Sequence, residues 1–329
     1  MATVDILNIE PTVISRDLKG KFVLLYSAPK AGKTSMACSF PKNLLCAFEK
    51  GYNAISGAMA IDINRWADFK QVIRQLKKPE AQEKYNTITI DTASIAYNLC
   101  EKYICAQNGV QSISDIAWGR GYGAVQEEFE TTLREITQLG YGLVLITHEE
   151  VRKEISNNDS EIEIVKPALN KRAYEVCNRL VDIIGYIQVI WNEDGTNERW
   201  LITRQTPTIM AGSRFRYMPP RIKFGYDELV RAIGEAIEKS ETEDGAVVVD
   251  KVENKIEETL DYNQLMTEAK ELWNILVPDT TTTSSKEMAK TILKKVEMIF
   301  GKPIKISDIT EDQVDLLQLV VLDMRDLNK

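Results

Sequence analysis

The most constraining feature of this sequence is the stretch at residues 26–35, which reads YSAPKAGKTS. An apolar run at residues 22–26 predicts a buried strand before it, and residues 36–40 predict a short helix that Pro41 ends. A strand, a loop of small residues and a helix, in this order, form the framework of a phosphate-binding loop. The spacing matches the Walker A pattern except at its first position, where Ser27 replaces glycine.

The residue types of this loop suit a nucleoside triphosphate. Small residues let successive backbone N–H groups turn toward a phosphate, and a lysine adds a positive charge. We expect Lys33 to contact the β- and γ-phosphates of ATP, and the Thr34 hydroxyl to bind Mg²⁺. An ordinary strand-to-helix turn is the alternative, but the complete Gly-Lys-Thr ending argues against it. The predicted nucleotide-binding residues are Ser27, Ala28, Pro29, Lys30, Ala31, Gly32, Lys33, Thr34 and Ser35.

Composition narrows the class of protein. The 329 residues are 44% hydrophobic and 27% charged, which is typical of a globular protein with one α/β domain and a smaller second domain. The five cysteines form no CxxC pair, and His148 is the only histidine, so the sequence favours neither a disulfide framework nor a zinc site. Residues 1–12 lack the pattern of a signal peptide, and no apolar run reaches membrane-spanning length. We therefore expect a cytoplasmic location and no membrane partner.

The order of predicted elements indicates an α/β fold. Strands alternate with helices, which predicts a mainly parallel sheet with helices on both faces, and a late hairpin within residues 183–203 adds antiparallel strands. We predict three domains: a core at residues 1–237, an acidic linker at 238–261 and a small helical bundle at 262–329. Within the core, residues 149–160 are predicted as a polar loop, and Asp227 is predicted to cap a helix at 228–237.

Asp91 ends the apolar strand at residues 87–91, as the aspartate of a Walker B motif does. We expect this strand to lie beside the strand of the phosphate-binding loop, where the carboxylate can hold Mg²⁺. The alternative is that Asp91 caps the helix that follows.

Two other strands are predicted to end at the same edge of the sheet. Glu49 follows the first of these strands and can orient or deprotonate a water molecule, although an exposed turn glutamate is the alternative. His148 ends the second and can sense the γ-phosphate, although a lone histidine at this position is often structural.

These motifs together resemble the ATPase core of RecA-type recombinases. The strands ending in Glu49, Asp91 and His148 occur in the order of that core, and the segment WGRGY at residues 118–122 is similar to the short RecA-like ATPases of bacteriophages. The resemblance covers residues 15–235. It implies a RecA-like fold, a catalytic role for Glu49, a sensor role for His148, and ATP with Mg²⁺ as cofactors. If the chain is phage-encoded, its location is the cytoplasm of the bacterial host.

The resemblance also implies partners. Single-stranded DNA would face the loops after the Asp91 helix and after His148, and the chain would self-assemble into a filament or ring. A single-strand-binding protein is a further candidate partner. Cations and aromatics in these loops suit phosphate contacts and base stacking, although solvated charges are the alternative. The residues concerned are Trp118, Arg120, Tyr122, Arg152, Lys153, Lys166, Lys171 and Arg172.

Arg204 and Arg214 follow the last pair of predicted strands. RecA-like assemblies complete their active site with cations from a neighbouring subunit near this point. The resemblance therefore implies that Arg204 and Arg214 act in trans, and surface salt bridges are the alternative.

The sequence leaves three functions open. The first is an ATPase that assembles on single-stranded DNA and supports annealing or recombination. The second is a helicase-type motor or loader that forms closed rings, and the third is a nucleotide-gated module that binds a protein through the C-terminal helices.

Replacing Lys33 with alanine should abolish ATP binding without unfolding the protein, because the lysine supplies charge to the phosphates. Equilibrium binding of ATP tests this, with the far-UV circular dichroism spectrum as the check on folding. Unchanged ATP affinity in the variant would refute the phosphate-loop assignment.

Overall fold

A computed structural model describes residues 14–15, 21–155, 161–245, 248–249 and 261–328. The chain divides into two compact units, with the boundary between residues 256 and 257. The described elements up to residue 249 belong to the first unit, and those from residue 261 belong to the second. The boundary lies inside the segment predicted as a linker, and most of this segment lies outside the described residues.

The strands all belong to the first unit. They are β1 (Ile14–Ser15), β2 (Phe22–Ser27), β3 (Asn43–Ala47), β4 (Ala60–Asp62), β5 (Thr87–Asp91), β6 (Gly142–Ile155), β7 (Glu161–Pro167), β8 (Ile183–Trp191), β9 (Asn197–Ile202), β10 (Gly212–Ser213), β11 (Arg221–Lys223) and β12 (Val248–Val249).

The helices occur in both units. Those of the first unit are α1 (Lys33–Cys38), α2 (Trp66–Leu76), α3 (Pro79–Lys84), α4 (Ala93–Gln107), α5 (Arg120–Gln138), α6 (Lys171–Leu180) and α7 (Tyr226–Asp244). Those of the second unit are α8 (Tyr262–Leu276), α9 (Thr283–Phe300) and α10 (Val314–Leu327). Within the described residues, no helix is both long enough and apolar enough to cross a lipid bilayer.

The main sheet has the strand order β11-β9-β8-β2-β6-β5-β3-β4. Strands β8, β2, β6, β5, β3 and β4 run parallel to one another. Strand β9 is antiparallel to β8, and β11 is antiparallel to β9. This confirms the predicted α/β class and its mainly parallel sheet. The expectation that the Asp91 strand lies beside the loop strand was wrong, because β6 separates β5 from β2.

Alternation along the central strand builds a core on each face of the sheet. In β2, Leu24 and Tyr26 face the core formed with α2, α4, α5 and α6, whereas Val23 and Leu25 face the core formed with α1 and α7. Side chains on both faces are almost fully buried. Strands buried on both faces read as continuous apolar runs, which is why β2 and β6 were recognisable in the sequence.

Two predicted boundaries were wrong. Strand β6 continues beyond His148 to Ile155 and pairs antiparallel with β7, so most of the predicted polar loop is a β-hairpin. Helix α7 continues to Asp244, and residues 238–244 of the predicted linker are therefore helical. Asp227 lies in the first turn of α7, and the N-cap is Gly225.

The second unit is a bundle of three helices with its own apolar core, as predicted. Leu265 of α8, Val296 of α9 and Leu317 of α10 are buried in this core. The guanidinium of Arg325 forms two hydrogen bonds with the Glu268 carboxylate, at 2.6 and 2.8 Å, which tie α10 to α8.

Replacing Phe129 with alanine should destabilise the first unit by about 3–5 kcal/mol, the usual cost of removing a buried phenylalanine ring. Phe129 is fully buried, and its ring lies 5.1 Å from that of Tyr97 and 5.8 Å from that of Trp66. Urea unfolding measures the change. Glu127→Ala, on the exposed side of the same helix, is the control and should change stability by less than about 0.5 kcal/mol. Equal unfolding midpoints for the two variants would contradict this packing.

Candidate functional site

The phosphate-binding loop connects β2 to α1 at the carboxyl edge of the parallel sheet. The Lys33 ammonium group is buried and donates hydrogen bonds to the Ser27 carbonyl at 3.0 Å, the Ser27 Oγ at 3.1 Å and the Ala28 carbonyl at 2.9 Å. Burial lowers the pKa of Lys33, and the negative charges of nearby carboxylates oppose this shift. The lysine is thus held inside the loop, where a bound phosphate would meet it.

Gly32 allows Arg199 and Phe224 to pack closely against the loop. Its φ of 105° is in the left-handed region, which glycine adopts without strain. A Cβ atom at this position would lie 2.7 Å from Nη1 of Arg199 and 3.2 Å from the ring of Phe224. Arg199 donates from Nη1 to the Ala31 carbonyl at 3.4 Å. The sequence interpretation missed Arg199, because only the tertiary fold brings β9 to the loop.

Thr34 and Asp91 meet as predicted for a metal site. The Thr34 hydroxyl donates to Oδ2 of Asp91 at 2.7 Å, which joins α1 to the end of β5 across the intervening β6. Burial and the neighbouring Glu49 raise the pKa of Asp91, whereas the Thr34 hydrogen bond and the charge of Lys33 lower it. A buried carboxylate beside a hydroxyl offers the hard oxygen ligands that Mg²⁺ prefers. The pair therefore fits the ion, which when bound neutralises charge on the phosphates.

Glu49 and His148 lie at the same edge of the sheet. The Asp91 carbonyl accepts hydrogen bonds from the N–H of Phe48 at 2.7 Å and of Glu49 at 2.9 Å, and these fix the backbone after β3. The Glu49 carboxylate lies 3.4 Å from Nε2 of His148. The geometry thus joins the proposed base to the proposed sensor, while their catalytic roles remain predictions.

A third carboxylate, that of Glu149, contributes to this site. In the described part of the chain, Oε2 of Glu149 and Nδ1 of His148 are buried without a hydrogen-bond partner. The charge of Glu149 acts on Lys33 together with those of Asp91 and Glu49. Burial raises the pKa of the Tyr186 phenol, and the negative charge of Glu149 adds to this shift. Sequence reasoning placed Glu149 in a loop and so missed it, although it directly follows His148.

A buried tyrosine ties the hairpin β6–β7 to the loop strand. Tyr26, immediately before the phosphate-binding loop, donates from its hydroxyl to the carbonyls of Met210 at 2.5 Å and Val165 at 3.2 Å. Val165 belongs to β7, so the base of the hairpin is anchored beside the nucleotide site. The hairpin is therefore in direct contact with the strand that leads into the phosphate-binding loop.

The two arginines predicted to act in trans are bound within their own chain. Arg204 donates to the carbonyls of Phe215, at 3.0 Å, and Arg216. Arg214 contacts the Asp182 carboxylate at 3.2 Å and also donates to the Arg179 carbonyl. Their predicted role in a neighbouring active site would require these contacts to be released.

The residues predicted to face DNA fall into two groups. Trp118 is 91% exposed, and Arg120, which begins α5, is also exposed. Tyr122 is partly covered by the guanidinium of Arg172, 4.6 Å from its ring centroid.

The hairpin group consists of Arg152 and Lys153 on β6 and Lys166 on β7. Arg152 pairs with Glu150 and Lys153 with Glu161, so carboxylates offset part of the hairpin's charge, and Lys171 is exposed at the start of α6.

The fold and this set of side chains define a P-loop ATPase. Residues 19–215 match the family described as AAA domain, and the chain belongs to this family. The chain is also 30% identical over 342 residues to the SPbeta prophage-derived uncharacterized protein YorG of Bacillus subtilis (strain 168), and the match covers 98% of each chain. Membership of the family implies a nucleotide ligand, usually with a divalent metal ion. The RecA-type resemblance remains a prediction.

Replacing Glu49 with glutamine should leave ATP affinity unchanged but slow hydrolysis by about 10²- to 10⁴-fold, because the amide keeps the shape and loses the base. Steady-state ATPase rates and equilibrium binding measure the two effects. Glu150→Gln is the matched control, since Glu150 lies at the same edge but pairs with Arg152. Turnover equal to that of the control would assign Glu49 to a structural role.

Proposed function

We propose that this chain is a phage-encoded, Mg²⁺-dependent ATPase that assembles on single-stranded DNA and supports annealing or recombination. The observation that carries the proposal is the convergence of Lys33, the Thr34–Asp91 pair and the Glu49–His148 pair at one edge of the sheet. These side chains can bind a triphosphate, hold its metal ion and activate water. The prophage origin stated in the name of the similar protein supports a phage source for this chain.

An exposed tryptophan supports DNA binding. Trp118 has a left-handed backbone conformation with φ 62° and is 91% exposed, so its ring is presented to solvent instead of packing on the core. It lies next to the exposed cation Arg120. Aromatic rings beside cations bind single strands by base stacking and phosphate contacts, largely without sequence preference.

The hairpin β6–β7 supports coupling between ATP and DNA. Strand β6 contains His148 in the site and continues without interruption into the hairpin that carries Arg152 and Lys153. Because Tyr26 anchors β7 beside the phosphate-binding loop, a change at the nucleotide can reach the hairpin directly. We therefore expect DNA to stimulate ATP turnover.

An outermost strand of the main sheet, β4, supports self-assembly. Strand β4 pairs with β3 on one side and ends the strand order of the main sheet. Ile61 of β4 and Met59, which precedes the strand, are each 40% exposed. They border a groove of about 510 Å³ with Val72 and Tyr85. An edge strand with exposed apolar side chains is suited to a protein partner, and a second copy would give a filament or ring.

The ATPase rate with and without single-stranded DNA is the experiment that tests this function. Stimulation by DNA would support the proposal or the ring-forming motor, and negative-stain images of filaments or rings would separate these two. A slow rate that DNA does not change would instead favour the nucleotide-gated protein-binding module. The roles of Arg204 and Arg214 in trans can be tested by mixing variant and wild-type subunits.

Replacing Trp118 with alanine should weaken binding to single-stranded DNA about 10- to 100-fold, because the stacking of one base on an aromatic ring is lost. Fluorescence anisotropy of a labelled oligothymidine measures the affinity, and the ATPase rate without DNA should not change. Trp191→Ala is the matched control, since Trp191 is 68% exposed on β8. An equal loss in both variants would contradict a specific role for Trp118.

A further inference from the structure

Arg199 is held beside the phosphate-binding loop by the sheet itself. It lies opposite Val189 of β8, and its carbonyl accepts a hydrogen bond at 3.0 Å from the N–H of Phe224, which follows β11. Strands on both sides therefore fix its backbone. Because the backbone of Arg199 is fixed, the fold itself brings the Arg199 side chain close to the loop.

The guanidinium group is stacked and oriented. It lies 4.8 Å from the ring centroid of Phe224, and Nη1 reaches the Ala31 carbonyl at 3.4 Å. The approach is close enough that any side chain at Gly32 would collide with it. Stacking holds the planar group against the Ala31–Gly32 peptide, part of the loop whose N–H groups surround a phosphate.

The charge of Arg199 has no counter-ion among the described residues. Arg214 and Arg216, in contrast, pair with Asp182 and Asp244. Arg199 makes one long hydrogen bond to a neutral carbonyl, so most of its five N–H donors remain available. An exposed, oriented cation beside a phosphate-binding loop is suited to an anionic ligand.

We infer that Arg199 is a further nucleotide-binding residue, whose guanidinium contacts the phosphates of ATP bound in the loop of its own chain. The inference rests on the ATPase function and adds a second cation to Lys33. The two side chains differ in kind, because the ammonium is a point charge inside the loop and the guanidinium is a planar fork beside Ala31 and Gly32. The cation acts in cis, unlike the role predicted for Arg204 and Arg214.

The test compares Arg199→Ala, Arg199→Lys and Arg221→Ala in the full chain. Arg221 is the matched control, because its guanidinium stacks on Trp200 at 4.6 Å on a neighbouring strand without contacting the loop. Equilibrium titrations with ATP and ADP in the presence of Mg²⁺ give affinity and stoichiometry at two salt concentrations. The stoichiometry separates weak binding from a misfolded fraction.

Arg199→Ala should bind ATP about 10- to 100-fold more weakly than wild type at full stoichiometry, with a larger loss for ATP than for ADP and a weaker dependence on salt. Arg199→Lys should recover part of the affinity, and Arg221→Ala should match wild type within about twofold. Equal affinities for Arg199→Ala and Arg221→Ala would overturn the inference, as would equal losses for ATP and ADP. Absence of ATP binding by wild type would instead overturn the ATPase function itself.

Discussion

The rest of the site depends on the attraction between the buried ammonium group of Lys33 and the carboxylates around it. Parallel strands bring their carboxyl ends to one edge of the sheet, and here they bring Asp91, Glu49 and Glu149 within electrostatic range of Lys33. Carboxylates that are partly removed from water repel each other, and a cation among them offsets this repulsion. Lys33 supplies this charge, and a divalent ion on Thr34 and Asp91 would complete the neutralisation.

The order of the strands explains how distant parts of the chain reach this edge. Because β6 lies between β2 and β5, Asp91 is two strands away from the phosphate-binding loop. The first turn of α1 bridges this gap and places the Thr34 hydroxyl against Asp91. The inserted strand is the one that carries His148, so the same arrangement places the candidate sensor next to Ser27. One topological feature therefore positions both the candidate metal ligands and the candidate sensor.

The sequence alone predicts those helices and strands whose apolar residues follow a clear periodic pattern. The apolar residues of helices α2 and α8 recur on one face, a pattern that predicts a helix from the sequence alone. The extension of β6 was not predictable in this way, because residues 149–154 contain one apolar side chain, that of Val151, and so show no apolar alternation. The acidic end of α7 is exposed, and its composition equally suits a linker. Arg199 reaches the loop only through strand pairing, which no local pattern reveals.

Strand β6 has a mechanical consequence. Ile155 is seven positions beyond His148, which at about 3.3 Å per residue places the far end of the strand on the order of 20 Å from the carboxyl edge of the parallel strands. Paired strands resist bending, whereas a loop of the same length would absorb movement as disorder. A small rotation of β6 about its buried half would thus appear as a larger displacement at the outer end of the hairpin. The hydrogen bond from the Tyr26 hydroxyl to β7 would be the fixed point of this rotation.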